Sequence, residues 1–172
     1  MKRLLLLWVA NQISRASPAT RGFALRGSLF RAAGVSIHPT ARICGGVVFD
    51  NRHARIDANT WVGGGCRFVG APGALIHVSE NCDLGPEVLL VVGTHDIGPT
   101  KRRAGRGRCE GIVIGAGVWV GARVTLLAGV TVGPGSVIGA GSLINSDVAP
   151  NSLAVGVPAR SARSLATSGD DA

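Results

Sequence analysis

Residues 112–160 read IVIGAGVWVGARVTLLAGVTVGPGSVIGAGSLINSDVAPNSLAVGVPAR, and a beat of six runs through them. Ile114, Val120, Leu126, Val132, Ile138 and Ile144 stand six apart, and Gly115, Gly121, Gly133 and Gly139 directly follow four of them. Val118, Val124, Val130, Ser136, Ser142 and Val148 repeat four positions after each aliphatic. A period of six drifts around a 3.6-residue helix and would scatter the aliphatics over its surface, so the stretch is not helical. It fits a short extended segment with one inward aliphatic, a tight turn at a small residue, and the next segment, three segments making one coil.

The same beat is present upstream, at Ile37, Ile43 and Phe49, then Ile56, Val62 and Phe68, then Ile76, Cys82 and Val88, with one extra residue before Ile56 and two before Ile76. A single coil cannot bury its inner face, so about five must stack and satisfy one another's backbone groups. The expected architecture is an all-β solenoid, a parallel β-helix over residues 35–163. A helical N-terminal segment, 1–34, covers one end or braces a neighbour, 149–163 close the other, and 164–172 form a disordered tail. The beat fails over 93–111, where Lys101, Arg102, Arg103, Arg106 and Arg108 lie among glycines and Pro99. That stretch is read as an extended functional loop.

Composition agrees. Hydrophobic residues make up 46% of the 172, aromatics only 4%, and there are 26 glycines, so the core must be aliphatic. The glycine has no collagen period, and the aliphatic content is too high for a disordered chain. The formal charge of +8, carried mostly by arginine, favours an anionic partner. Nucleic acid is not expected, because stacking aromatics and recognition motifs are missing. Cys44, Cys66, Cys82 and Cys109 show no CxxC spacing and read as reduced small hydrophobes. The apolar run 4–10 after Lys2 and Arg3 is short for a signal peptide and far too short to span a bilayer. A helix packed on the body is expected there. The sharper alternative is a peripheral membrane contact, with Arg3, Arg15, Arg21, Arg26 and Arg31 beside the apolar surface.

The hexad period, the tryptophan of VWVG, the IGAGS turn and the terminal GVPAR of residues 112–160 resemble the C-terminal half of the hexapeptide-repeat O-acetyltransferases. Those are the maltose and galactoside acetyltransferases and their exopolysaccharide-modifying relatives. GTHDIG, at 93–98, resembles the place where that family puts its catalytic histidine. The resemblance implies a left-handed β-helix, whereas the general rule for parallel crossovers favours the right-handed form. It also implies a homotrimer with sites between subunits, and acetyl-CoA as acyl donor with no metal required.

The general base is then His95, since imidazole titrates near neutral pH. Asp96 and Glu110 are candidates for orienting its ring or binding the acceptor. The resemblance puts the cofactor near the backbone amides of Ala122 and Ala140, beside Trp119 and the turn of Asn145 and Ser146. Arg160 and Arg163 would hold its phosphates, which arginine suits through bidentate hydrogen bonds. The expected acceptor is a sugar or polysaccharide precursor hydroxyl, with the amine of an amino sugar as runner-up. Dependence on acetyl-CoA implies a cytoplasmic enzyme, held at the inner membrane face if the acceptor is lipid-linked.

Two rivals share the fold. One resembles the γ-type carbonic anhydrases and would stack His77 and His95, 18 residues apart, around a metal, but it needs a third histidine and none follows His95. The other is a non-catalytic scaffold.

Overall fold

The computed structural model describes residues 2–166. Two helices, α1 (Lys2–Ala16) and α2 (Phe23–Ala32), precede strands that come in triplets. The first three triplets are β1 (Ser36–Ile37), β2 (Arg42–Ile43) and β3 (Val48–Phe49); β4 (Ala54–Ile56), β5 (Trp61–Val62) and β6 (Arg67–Val69); β7 (Ile76–Val78), β8 (Asp83–Leu84) and β9 (Leu89–Val91). A hairpin of β10 (Gly93–Ile97) and β11 (Ala104–Cys109) interrupts them. The series resumes with β12 (Ile112–Ile114), β13 (Trp119–Val120) and β14 (Thr125–Leu126), then β15 (Thr131–Val132), β16 (Val137–Ile138) and β17 (Leu143–Ile144). β18 (Ser152–Gly156) and β19 (Ala159–Ser164) end the chain's regular structure.

Each member of a triplet joins a different sheet. The first sheet runs β1-β4-β7-β12-β15, the third β3-β6-β9-β14-β17, and the second β2-β5-β8-β13-β16-β18-β19. All pairings within these sheets are parallel except β18 with β19. Strands only two residues long suffice because the two residues divide the work. In β2, β8, β13 and β15 the first faces solvent and the second is buried. In-register partners Ile37, Ile56, Val78, Ile114 and Val132 make one inward column. The aromatics of the interior stack likewise, Phe49 on Phe68 at 4.5 Å, with Phe30 of α2 edge-on to Phe49 at 4.8 Å.

The third triplet stands two residues further along than the beat predicts. Ile76, Cys82 and Val88 are buried, but the residues aligned with Ile56, Val62 and Phe68 are Val78, Leu84 and Leu90. Ile76 pairs with Ala54 instead. Two columns point inward, the strand residue and the residue two before it, and both accept an aliphatic, so the beat alone does not separate them. The additional residues form a turn after β6, closed by the bridge between Ala71 and Ala74. The expected loop 93–111 is also corrected: most of it is antiparallel ribbon, its backbone groups satisfied across Gly93–Cys109, Thr94–Arg108 and His95–Gly107.

The first triplet leaves an open edge on the three sheets, and the helices cover it. Asn11 of α1 donates from Nδ2 to the Phe49 carbonyl (2.9 Å) and accepts at Oδ1 from the Phe49 N–H (3.1 Å). Ser14 Oγ donates to the Val47 carbonyl, and Arg26 Nε to that of Ile43. Arg26 is therefore buried under the first triplet, and not on the basic surface where it was expected. At the other end β18 extends the second sheet parallel to β16, and β19 folds back on it as an antiparallel edge strand. Of the expected tail, Ser164 closes β19 and the Leu165 N–H donates to the Asn151 carbonyl, while residues 167–172 lie outside the described residues. Cys44, Cys66 and Cys82 are buried free thiols, and burial pushes Cys66 up to about 12 and Cys82 to about 11. No described helix is long and apolar enough to cross a membrane.

Candidate active site

The hairpin leaves the stack where the chain passes from the third sheet to the first, between β9 and β12. Alternation along its strands sorts the side chains onto two faces. His95 lies opposite Gly107, so its ring rests where a side chain would otherwise stand: a Cβ at Gly107 would lie 3.7 Å from the ring's Cε1. His95 Nδ1 lies 3.1 Å from the Gly105 carbonyl. A carbonyl only accepts, so Nδ1 carries the proton and Nε2 keeps a free lone pair. The ring borders an open cleft of about 550 Å³, with Ala71, Pro72, Thr94 and Arg108 among its walls.

The other face carries the charges. Arg108 Nε lies 3.3 Å from Asp96 Oδ1 and its Nη1 3.0 Å from Glu110 Oε1. Neither carboxylate orients the imidazole, contrary to one expectation, because strand alternation turns them away from it. The group that does so, the Gly105 carbonyl, belongs to the backbone. Its only trace in the sequence is the alternation of Gly105 and Gly107 with arginines, which reads equally as a flexible loop.

A second constellation forms where the chain passes from the second sheet to the third, at Gly63, Gly85, Gly121 and Gly139. These turns are stacked so closely that a Cβ at Gly85 would meet the Ala122 nitrogen at 2.7 Å, and one at Gly121 the Ala140 nitrogen at 2.6 Å. The Ala122 and Ala140 N–H groups have no hydrogen-bond partner among the described residues. Trp119, three residues before Ala122 on β13, projects outward from the second sheet between Asp83 and Val137 and is well exposed.

A third group is at the C-terminal end. Ser146 and Arg160 line one cavity of about 270 Å³ with Asp147 and Ser161, and Asn145 precedes it on the turn after β17. Arg163 is exposed on β19, opposite Leu153. Within one chain the structure thus brings Ser146 to Arg160, and Trp119 to Ala122 and Ala140. His95 stands at a different corner from the free amides. His77, one turn before the hairpin, lies on the first sheet and donates from Nε2 to Asp57 Oδ2 at 2.8 Å, so it is not stacked with His95. No group of three or more potential metal-ligating side chains occurs among the described residues.

Comparison with known proteins agrees with the repeat and the fold. Residues 111–146 match the family described as bacterial transferase hexapeptide (six repeats). No curated protein sequence matches the chain. Among solved structures, a hexapeptide-repeat acetyltransferase of Vibrio cholerae O1 biovar eltor, complexed with acetyl coenzyme A, is 28% identical. Its TM-score is 0.75 over 96% of this chain and 88% of that one. A galactoside acetyltransferase in complex with coenzyme A is 27% identical, with a TM-score of 0.82 over 96% of this chain and 82% of that one. A maltose O-acetyltransferase of Clostridium difficile 630, at 24% identity and a TM-score of 0.76 over 96% and 87% of the two chains, shares the fold. In its repeat the chain matches the hexapeptide transferases over residues 111–146, and in its fold it is similar to hexapeptide-repeat acetyltransferases, galactoside and maltose acetyltransferases among them.

Proposed function

We propose that this protein transfers an acetyl group from acetyl-CoA to a hydroxyl of a sugar or polysaccharide precursor, with His95 as general base. The observation that carries the reading is the fixed tautomer: the Gly105 carbonyl holds the Nδ1 proton and leaves Nε2 free at an open cleft. Acetyl-CoA supplies an acyl group activated as a thioester. His95 Nε2 accepts the proton of the hydroxyl as its oxygen bonds to the thioester carbon, and returns it to the thiolate that leaves as the carbon–sulfur bond breaks. A free amide, Ala122 or Ala140, donates to the carbonyl oxygen as negative charge develops there, a contribution of about 3 kcal/mol for one oxyanion donor. The glycine turns leave no side chain to obstruct that approach, and Arg160, Arg163 and Ser146, with Asn145 beside it, offer donors to the phosphorylated end of the cofactor. Asp96 and Glu110, already held by Arg108 on the face away from the ring, would meet the acceptor beyond its reacting hydroxyl, and Trp119 would border the cofactor.

Since His95 and the free amides occupy different corners of one chain, the reading takes the working unit as a homotrimer of left-handed β-helices, about five coils each, with every site shared by two subunits. Use of acetyl-CoA places the enzyme in the cytoplasm. The test is thiol release from acetyl-CoA against sugars, nucleotide sugars and amino sugars, by wild type and His95→Ala. Loss of turnover by about 10²–10⁴ in the variant, with coenzyme A binding retained, is expected; turnover unchanged in the variant would remove His95 from the mechanism.

A further inference from the structure

The N-terminal helix does more than close the first triplet. Its inner side, Leu7, Ala10 and Ser14, is buried against the stack. Its outer side is apolar as well: Leu4 and Leu5 are each 64% exposed, Trp8 60% and Leu6 44%. Leu4 and Trp8 stand one turn apart with Leu5 between them, so they form one continuous patch. Leu25, 61% exposed on α2, is a further apolar side chain in this N-terminal region. Single exposed leucines need no explanation, but four large apolar side chains within five consecutive positions do.

The charge in this region has one sign. Positions 2–49 contain no Asp or Glu, and they hold Lys2, Arg3, Arg15, Arg21, Arg26, Arg31 and Arg42. Only Arg26 among these is buried. Lys2, Arg3, Arg15, Arg21, Arg31 and the nearby Arg52 make no ion pair among the described residues. Arg3 and Arg52 converge on Gly34, their Cδ atoms 3.7 and 3.0 Å from where its Cβ would be. The groove beside Leu4, Trp8 and Arg15 has one carboxylate, Asp50, at its edge.

We propose that the outer side of α1 docks on an anionic phospholipid surface. Leu4, Leu5, Leu6 and Trp8 enter the boundary between headgroups and acyl chains, and Lys2, Arg3 and Arg15 meet the lipid phosphates. An apolar face fringed by unpaired cations matches that boundary, where the lower layer is hydrocarbon and the upper one is negative. The helix is too short to cross, so it lies on the surface. Both signals are needed, since either alone gives only marginal, reversible attachment. The proposal does not depend on the reaction catalysed.

The test is co-sedimentation of the full chain with vesicles of phosphatidylcholine alone and with about a third phosphatidylglycerol. Binding to the anionic vesicles at least about tenfold tighter than to the neutral ones, weakened by salt, is expected. Leu4→Gln/Leu5→Gln/Trp8→Gln should lose it by about tenfold or more while keeping the melting temperature and the mass in solution. Lys2→Gln/Arg3→Gln/Arg15→Gln should abolish the preference for anionic lipid. Absence of wild-type binding, or binding unchanged in the apolar variant, overturns the proposal. So does a fall in oligomeric mass of that variant, which would make the patch a contact between copies.

Discussion

His95 and Asp57 show how far a single side chain's neighbours determine what it can do. The Gly105 carbonyl selects the His95 tautomer, and no side chain assists it. Asp57 is the most heavily bonded carboxylate of the stack: Arg55 Nε reaches it at 2.7 Å and His77 Nε2 at 2.8 Å. Partial burial, the largest single influence, would raise its carboxyl, but the hydrogen bonds and charges of Arg55 and His77 together outweigh it and hold the group below its ordinary value of 3.8. The native state therefore keeps Asp57 ionised at pH values where the unfolded chain has begun to protonate it. The stability this contributes is complete above 3.8 and is lost as pH falls through the lowered native value. Melting temperature followed from about pH 5 to about pH 2.5 should fall less steeply for Asp57→Asn than for wild type.

Glycine has two meanings in the turns. At Gly121 an added Cβ would meet backbone at 2.6 Å, so Gly121→Ala must push neighbouring stacked turns apart. It should cost about 1–3 kcal/mol and, on the proposed reading, weaken coenzyme A binding. At Gly117, with φ +68° and open space around it, alanine pays only the left-handed backbone, about 1 kcal/mol, and leaves binding unchanged. Thermal melting and coenzyme A titration of the two variants separate these effects. Either glycine looks the same in the sequence; packing distinguishes them.

At the scale of elements, α1 is held to the stack by paired hydrogen bonds as well as by apolar contact. Asn11→Ala leaves both backbone groups of Phe49 without their partner at the first strand of the third sheet, and should destabilise the chain by about 1–3 kcal/mol in denaturant melts. The helix was legible from its apolar run, yet Asn11 and Arg26 gave no hint of their roles, because a polar residue that caps a distant strand has no local signature. The hairpin was legible only as an interruption. Its glycines and arginines lack an apolar alternation, and its pairing rests on backbone groups that any sequence would supply.

At the scale of the molecule, the separation of His95 from the free amides of Ala122 and Ala140 makes a statement about assembly. If each site takes His95 from one subunit and Ala140 from the next, His95→Ala and Ala140→Trp are each inactive alone. Co-refolded in equal amounts, they should recover about a quarter of wild-type sites, the share in which an intact His95 faces an intact Ala140. No recovery, with mixed oligomers present by mass, would place both groups in one subunit.

The period of six alone determined that this chain stacks three-segment turns around an aliphatic core, since the inward side chains of each segment can be buried only by the turns above and below. A histidine at the head of the one long interruption was equally plain. Only the tertiary structure decided which of two inward columns Ile76 joins, that Arg26 lies beneath the first triplet, and that a backbone carbonyl holds the ring of His95. Each depends on what stands across a turn or a strand from the residue, and a repeat that accepts any aliphatic inside and any small residue at its corners leaves that choice to packing.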